Sequence, residues 1–246
     1  MAANQHRKEE LGDGVALYFG DNLSIMPAIH GCPAIVTDPP YGQNLKTNVN
    51  RKGASGLFKG RLAVKWPDGI VGDDGPFDPG PWLNASPRYC LFWGVHRFAE
   101  RLPAGSWLVW DKVPTGKIRD QGDGEAAWMS GPIRPMRIYR LLWDGVCVGS
   151  AARDEVTAGQ QRVHPTQKPV ALMKWCIGQM QLPPKTIIVD PYMGSGSTGV
   201  AAVQLGFPFV GVEIVPQYFD TACRRISEAL KQGDMFIERA HRISAI

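Results

Sequence analysis

The stretch that most restricts what this chain can become is Thr186-Ile187-Ile188-Val189, which runs into Asp190-Pro191-Tyr192-Met193-Gly194-Ser195-Gly196-Ser197-Thr198-Gly199. The first four residues are apolar or β-branched and end in turn chemistry, so they read as a buried strand; the residues on to Gln204 read as a helix. A strand that passes through a glycine loop into a helix is half of a parallel crossover unit, and parallel sheets need helices over both faces. The alternation continues with a strand from Phe209 to Val212, Glu213 at its end, and a helix from Pro216 to Lys231. Upstream, strands are expected at Val15 to Phe19, Ala34 to Thr37, Tyr89 to Trp93 and Ser106 to Trp110. Helices are expected at Asn22 to Ile29, Pro81 to Ala85, Val95 to Leu102 and Val170 to Gln181. Residues 113 to 133 read as loop, and Met136 to Trp143 as a strand with one face packed. The fold class is therefore α/β, and 246 residues suit one large domain carrying a small insertion.

A second stretch carries chemistry. Asp38-Pro39-Pro40-Tyr41 closes the apolar strand 34–37 with a carboxylate, two residues of fixed φ and an aromatic ring. Prolines cannot donate to a sheet ladder, so the chain leaves the sheet here in one stiff geometry. Asp38 and Tyr41 then stand in a defined relation at a carboxyl strand end, where open α/β sheets place ligands. A carboxylate and a backbone carbonyl can accept from an exocyclic NH2 while the tyrosine stacks on the ring that bears it. Asp21, at the end of the strand before, is expected to face the same rim.

Gly194, Gly196 and Gly199 satisfy G-x-G-x-x-G, with an acid about 20 residues on, so a dinucleotide site has to be weighed. Asp190 decides against it. A pyrophosphate on the glycine loop would face this carboxylate, whereas S-adenosylmethionine has no phosphate and carries an ammonium and a sulfonium. Glu213 can accept ribose hydroxyls from either ligand. A P-loop is excluded because no Gly-Lys-Ser/Thr follows the glycines.

Net charge is only +4, yet Lys46, Arg51, Lys52, Lys59, Arg61 and Lys65 fall between Gly42 and Lys65 without one acid. Such a segment can neutralise phosphates, and it leaves directly from the proline-tyrosine turn. The five cysteines are widely spaced with no C-x-x-C pair, which argues against zinc and a disulfide framework and for reduced thiols in a cytoplasmic protein. No stretch approaches the roughly 18 apolar residues of a membrane span, and the polar residues 1–10 do not form a signal peptide.

Asp-Pro-Pro-Tyr-Gly at 38–42, His-Pro-Thr-Gln-Lys-Pro at 164–169 and Asp-Pro-Tyr-Met-Gly-Ser-Gly-Ser-Thr at 190–198, in that order, resemble the amino-methylating DNA methyltransferases of the permuted β class. The resemblance implies a Rossmann-like, seven-stranded, mostly parallel sheet with one antiparallel strand. It implies that S-adenosylmethionine is the methyl donor, that no metal is needed, and that double-stranded DNA is the partner. Asp21 would bind the adenine of the cofactor and Glu213 its ribose. Asp190, Gly194, Ser195, Gly196 and Thr198 would hold the methionine part, with His164, Thr166 and Lys168 near its carboxylate. Tyr192, where the family usually has Phe, and Asp38 would also border the cofactor.

The catalytic residues implied are Asp38, Pro39, Pro40 and Tyr41, acting on a base flipped out of the duplex, with Lys46, Arg51, Lys52, Lys59 and Arg61 on its backbone. The resemblance makes residues 43–75 a DNA-facing loop and about 113–163 a small target-recognition insertion. Asp at the first motif position goes mostly with N6-adenine and Ser mostly with N4-cytosine, so adenine is the expected target. A fold-retaining binding module, a methylase of RNA or protein amides and a dehydrogenase are the competing readings. The short chain leaves little room for a large recognition domain, so a homodimer sharing DNA contacts is a plausible assembly.

Overall fold

The computed structural model describes residues 7–25, 34–43, 69–113, 122–142 and 166–244, with side chains to 232. Among the described residues nine strands form one sheet: β1 (Arg7–Gly12), β2 (Val15–Phe19), β3 (Ala34–Thr37), β4 (Tyr89–Trp93), β5 (Ser106–Asp111), β6 (Gly124–Met129), β7 (Arg137–Arg140), β8 (Ile188–Asp190) and β9 (Phe209–Glu213). Their spatial order is β1-β2-β9-β8-β3-β4-β6-β5-β7. The described helices are α1 (Asn22–Ile25), α2 (Gly80–Asn84), α3 (Val170–Met180), α4 (Ser197–Gln204) and α5 (Pro216–Ser244).

The α/β class expected from the sequence is the one observed, with two strands beyond the seven. β2, β9, β8, β3 and β4 run parallel, and β6 is antiparallel to both β4 and β5. β1 adds a second antiparallel pairing at the edge, against β2. Its sequence is too charged to read as a strand. It suits an edge because Arg7 reaches Asp220 at 3.1 Å and Lys8 reaches Glu10 at 2.5 Å, charges that discourage further pairing.

β6 corrects the reading of residues 113–133 as loop. Gly124, Glu125 and two alanines dilute its strand signal, yet it lies between β4 and β5 and pairs with both. The helix expected over Val95 to Leu102 is instead two 3₁₀ turns, Val95–Arg97 and Ala99–Arg101. Phe98 breaks it at φ −147°, which sends its fully buried ring against Phe77 at 4.9 Å, edge to face. Burial of an aromatic ring, worth about 1.5–3 kcal/mol, outweighs the few hydrogen bonds of a short helix.

Strand alternation divides the core. Ala34, Val36, Leu91, Trp93, Leu108 and Trp110 face α3, α4 and α5, where Leu172, Cys176, Ala201 and Ile226 cover them. Ile35, Cys90 and Phe92 face the other way, into a layer with Tyr41, Phe77, Trp82, Phe98 and Trp128. α3 buries Leu172, Cys176 and Met180 as its spacing predicts, while Trp175 lies at its margin against Tyr139, ring centroids 5.2 Å apart. Cys90 and Cys176 are buried and form no disulfide among the described residues.

From β3 the chain builds outward through β4, β5, β6 and β7, then returns to lay β8 on the opposite side of β3. The β3–β8 boundary is therefore a topological switch point, whose crevice opens outside the carboxyl strand ends.

Candidate active site

Four adjacent parallel strands deliver four acids to one rim: Asp21 just after β2, Glu213 ending β9, Asp190 ending β8 and Asp38 just after β3. The expectation that Asp21 and Asp38 share a rim holds, although β9 and β8 lie between their strands. A cavity of about 220 Å³ spans this rim, bordered by Asp21, Asp38, Tyr41, Thr166, Tyr192 and Glu213 among others. A smaller cavity of about 50 Å³ adjoins it, and Thr166, Lys168, Asp190, Gly194, Ser195 and Thr198 are among its walls.

The two motif corners touch. Thr37 Oγ1, fully buried at the end of β3, donates to Asp190 Oδ1 at 2.6 Å. Asp190 Oδ1 also accepts from the Tyr192 N–H at 3.1 Å, and the Thr198 hydroxyl hydrogen-bonds the same carboxylate. Burial still pushes Asp190 up to about 6, because these bonds only partly replace the lost water.

The glycines serve geometry here. Gly194 and Gly196 adopt φ of 51° and 81°, the left-handed region that lets the loop turn into α4. A Cβ at Gly199 would meet Ile226 Cδ1 at 2.4 Å and Phe209 Cε1 at 2.7 Å, so this glycine lets α4 pack closely on α5 and β9. Arg225 of α5 donates to the Ser195 carbonyl at 2.5 Å and to Ser195 Oγ at 3.0 Å, bracing the loop from behind.

Glu213 is a further brace. Its Oε2 accepts from the Gly194 N–H at 2.9 Å and its Oε1 from the Val215 N–H at 2.7 Å. Burial pushes it up to about 7 despite those bonds. Asp21 Oδ2 accepts from the Ser24 backbone at 3.0 Å and hydroxyl at 2.8 Å, capping α1. The Tyr192 hydroxyl accepts from Trp82 Nε1 at 3.3 Å, and Phe77 packs edge-on against the ring, so a tyrosine is accommodated here.

The Asp38 corner is held from several sides. Asp73 Oδ1 accepts from the Gly42 and Gln43 N–H groups, both at 3.0 Å, fixing the turn after Tyr41. The Tyr41 ring is buried against Gly94, where a Cβ would lie 2.2 Å from two ring carbons, and meets His96 edge-on at 5.9 Å. Burial drives the Tyr41 phenol up, so it stays neutral.

Asp38 Oδ2 accepts from Lys168 Nζ at 2.6 Å, and the same ammonium reaches Glu125 Oε2 at 2.9 Å and lies 5.6 Å from the Trp93 ring centroid. Lys112 pairs with Glu125 Oε1. Burial lifts the Asp38 carboxyl above its ordinary range against the opposing pull of Lys168. For Glu125 burial acts the same way, but Lys168 and Lys112 together outweigh it and hold the group down to about 2. Asp38 Oδ1 is buried and has no hydrogen-bond partner among the described residues, which marks it as an acceptor awaiting a donor.

The structure thus brings Asp38, Pro39, Pro40, Tyr41, Asp21, Thr166, Lys168, Asp190, Tyr192, Gly194, Ser195, Gly196, Thr198 and Glu213 to one rim or its two cavities. His164, Lys46, Arg51, Lys52, Lys59 and Arg61 lie outside the described residues. Sequence reading missed Thr37, Asp73, Lys112, Glu125 and Arg225. Only Lys112, in the strand-end pair Asp111-Lys112, carried a local signal; the others act across the fold.

Residues 135–224 match the family model of the N6/N4 DNA methylases. In Escherichia coli K12, a chain named as the methylase YubD is 40% identical over 75 residues, 29% of this chain and 33% of that one. The DNA adenine methyltransferase YhdJ of the same strain is 42% identical over 66 residues, 27% of this chain and 22% of that one. Both alignments thus span a third or less of the relatives' own length. Among solved structures, the PvuII DNA methyltransferase, cytosine-N4-specific, superposes with a TM-score of 0.52 at 14% identity, covering 89% of this chain and 90% of that one. That likeness is one of fold.

Proposed function

We propose, from the match of residues 135–224 to the N6/N4 DNA methylase family model, that this chain methylates DNA, transferring the methyl of S-adenosylmethionine to the exocyclic N6 of an adenine flipped out of the duplex. The observation that carries the reading is the 2.6 Å hydrogen bond from Thr37 to Asp190, which joins the family-matched glycine corner to the proline-tyrosine corner outside the matched region.

The donor set fits the cofactor: the carboxylates of Asp21, Asp38, Asp73 and Glu213 line the cavity, which favours a cationic ligand over a phosphate, and Asp38 Oδ1 is left with an unmet capacity to accept. Glu213 would take the ribose hydroxyls, Asp21 the adenine, and the loop from Asp190 to Thr198 the methionine part, with Tyr192 alongside. His164, Thr166 and Lys168 would border its carboxylate end. When bound, S-adenosylmethionine supplies an electrophilic sulfonium methyl.

The chain's own contribution is orientation. An adenine N6 lone pair is delocalised into the ring; hydrogen bonds from its two protons to Asp38 Oδ1 and the Pro39 carbonyl localise it for attack. Pro39 and Pro40 fix the direction of both acceptors, and Tyr41 replaces the stacking lost on flipping. Positioning of this kind contributes up to about 7–11 kcal/mol of a barrier. Lys46, Arg51, Lys52, Lys59 and Arg61 would grip phosphates as part of a DNA-facing loop 43–75, and the stretch 113–163 would read the target within a single domain.

Adenine is favoured by Asp38, the residue the family associates with that base, and by the similarity to an adenine methyltransferase at partial coverage. The test is incubation of the purified chain with labelled S-adenosylmethionine and duplex DNA, followed by nucleoside mass spectrometry. N6-methyladenine is expected, with Asp38→Asn lowering turnover at least about a hundredfold while cofactor affinity changes far less. N4-methylcytosine alone overturns the base assignment, and unlabelled DNA overturns the activity.

A further inference from the structure

Resting on the methyltransferase reading, we propose that Glu125 and Lys112 are positioning residues for the methyl-accepting pocket. Glu125 holds Lys168 between itself and Asp38, so that Asp38 Oδ2 is anchored and Oδ1 is presented to the amine.

The chain of contacts crosses four elements. Asp38 follows β3, Lys168 precedes α3, Glu125 lies on β6 and Lys112 follows β5. The antiparallel pairing of β5 with β6, in register Trp110 to Glu125, sets Glu125 beside the end of β5, where Lys112 reaches it. Lys168 is 6% exposed, Glu125 14% and Asp38 17%, so all three are drawn from water together.

Two ammonium groups and two carboxylates balance. Lys112 pairs with Oε1 of Glu125, which leaves Oε2 to share Lys168 with Asp38. Without Lys112, Glu125 would draw Lys168 toward itself and away from Asp38. Without Glu125, nothing counters the pull of Asp38 on Lys168, so the ammonium moves onto Asp38 and can engage both of its oxygens, which takes Oδ1 from the amine. An acceptor that is engaged by Lys168 or turned away from the amine is out of place, and misplacement of about 1 Å costs on the order of a hundredfold in rate.

The charged and titratable groups that act on Asp38 are Lys168, Glu125 and Lys112, with Tyr41 and Asp190 close by. Removing the like charge of Glu125 favours ionised Asp38, whereas removing Lys112 disfavours it. A merely structural role moves the two variants in the same direction.

The test is carboxyl-carbon NMR titration of the full chain without cofactor, the Asp38 signal being assigned by its loss in Asp38→Asn. Glu125→Gln should lower the Asp38 midpoint and Lys112→Met should raise it, each by about one pH unit. Lys112→Arg should restore the wild-type midpoint. In parallel, kcat for DNA methylation should fall about 10- to 100-fold in Glu125→Gln with cofactor affinity near that of wild type. Midpoints that stay put or move together in folded variants overturn the proposal. If Glu125→Gln fails to fold, the Lys112 pair decides, since Lys112, 18% exposed, is the least buried of the four groups and Lys112→Arg keeps its charge. A wild-type chain inactive on DNA sinks the methyltransferase reading, and the titration still decides the ion-pair chain.

Discussion

Thr37→Val tests the joint between the two corners most directly. Valine keeps the shape of threonine and the strand preference of a β-branched residue, so the change removes one hydroxyl from a fully buried site and little else. What is lost is a 2.6 Å hydrogen bond to Asp190, which is itself 2% exposed. A hydrogen bond to a charged group contributes about 1.5–3 kcal/mol, and in a domain of this size each kcal/mol shifts Tm by about 2–4 °C.

The pH dependence is sharper than the total. Asp190 is pushed up to about 6 by burial, against an unfolded value of about 3.9, so its ionisation costs the folded state free energy that builds as pH rises through that window. The Thr37 hydroxyl lowers the folded value; without it the window extends further upward. At pH 5 Asp190 is mostly protonated in both proteins and the difference is small. At pH 8 it is ionised in the wild type and the full cost appears. Urea unfolding at the two pH values should therefore give a destabilisation at pH 8 of about 1.5–3 kcal/mol that shrinks to less than about half at pH 5. Equal destabilisation at both, or none at pH 8, would refute the claim that this hydrogen bond to an ionised Asp190 holds the corners together.

Cofactor affinity should follow Glu213, which sits at about 7 in the free protein: if its ionised form accepts the ribose hydroxyls, affinity by calorimetry falls about tenfold from pH 8 to pH 6, and Glu213→Gln flattens the profile. Gly94→Ala should displace the Tyr41 ring, because the new methyl would lie 2.2 Å from two of its carbons at a backbone φ of 74°. The expected result is a loss of turnover of about a hundredfold, larger than the loss of cofactor affinity, with wild-type turnover as the refuting outcome.

The strands that lie deepest were legible because their neighbours in sequence already say what they are. Val15–Phe19, Ala34–Thr37 and Tyr89–Trp93 are short apolar runs closed by turn residues, and each is a strand with those bounds. The three motifs likewise carry their chemistry in adjacent residues: prolines that stiffen, glycines that turn, a carboxylate at a strand end. β6 was illegible, because two alanines and a glycine take strand form only when β4 and β5 pair on both sides. Phe98 broke an expected helix for the same kind of reason, since the aromatic layer that accepts its ring is assembled from distant segments.

Sequence alone, then, determined the fold class and the chemical types brought to the rim, since both follow from local periodicity and side-chain identity. Only the folded chain decided how that rim is wired. The Thr37–Asp190 bond spans 153 residues and the Lys168–Asp38 pair 130, and neither partner announces the other along the chain. Lys112 and Glu125 met because antiparallel pairing brought two ordinary charges together. Packing removes the water that would otherwise screen them, and in that setting position decides which oxygen is anchored and which is left to accept.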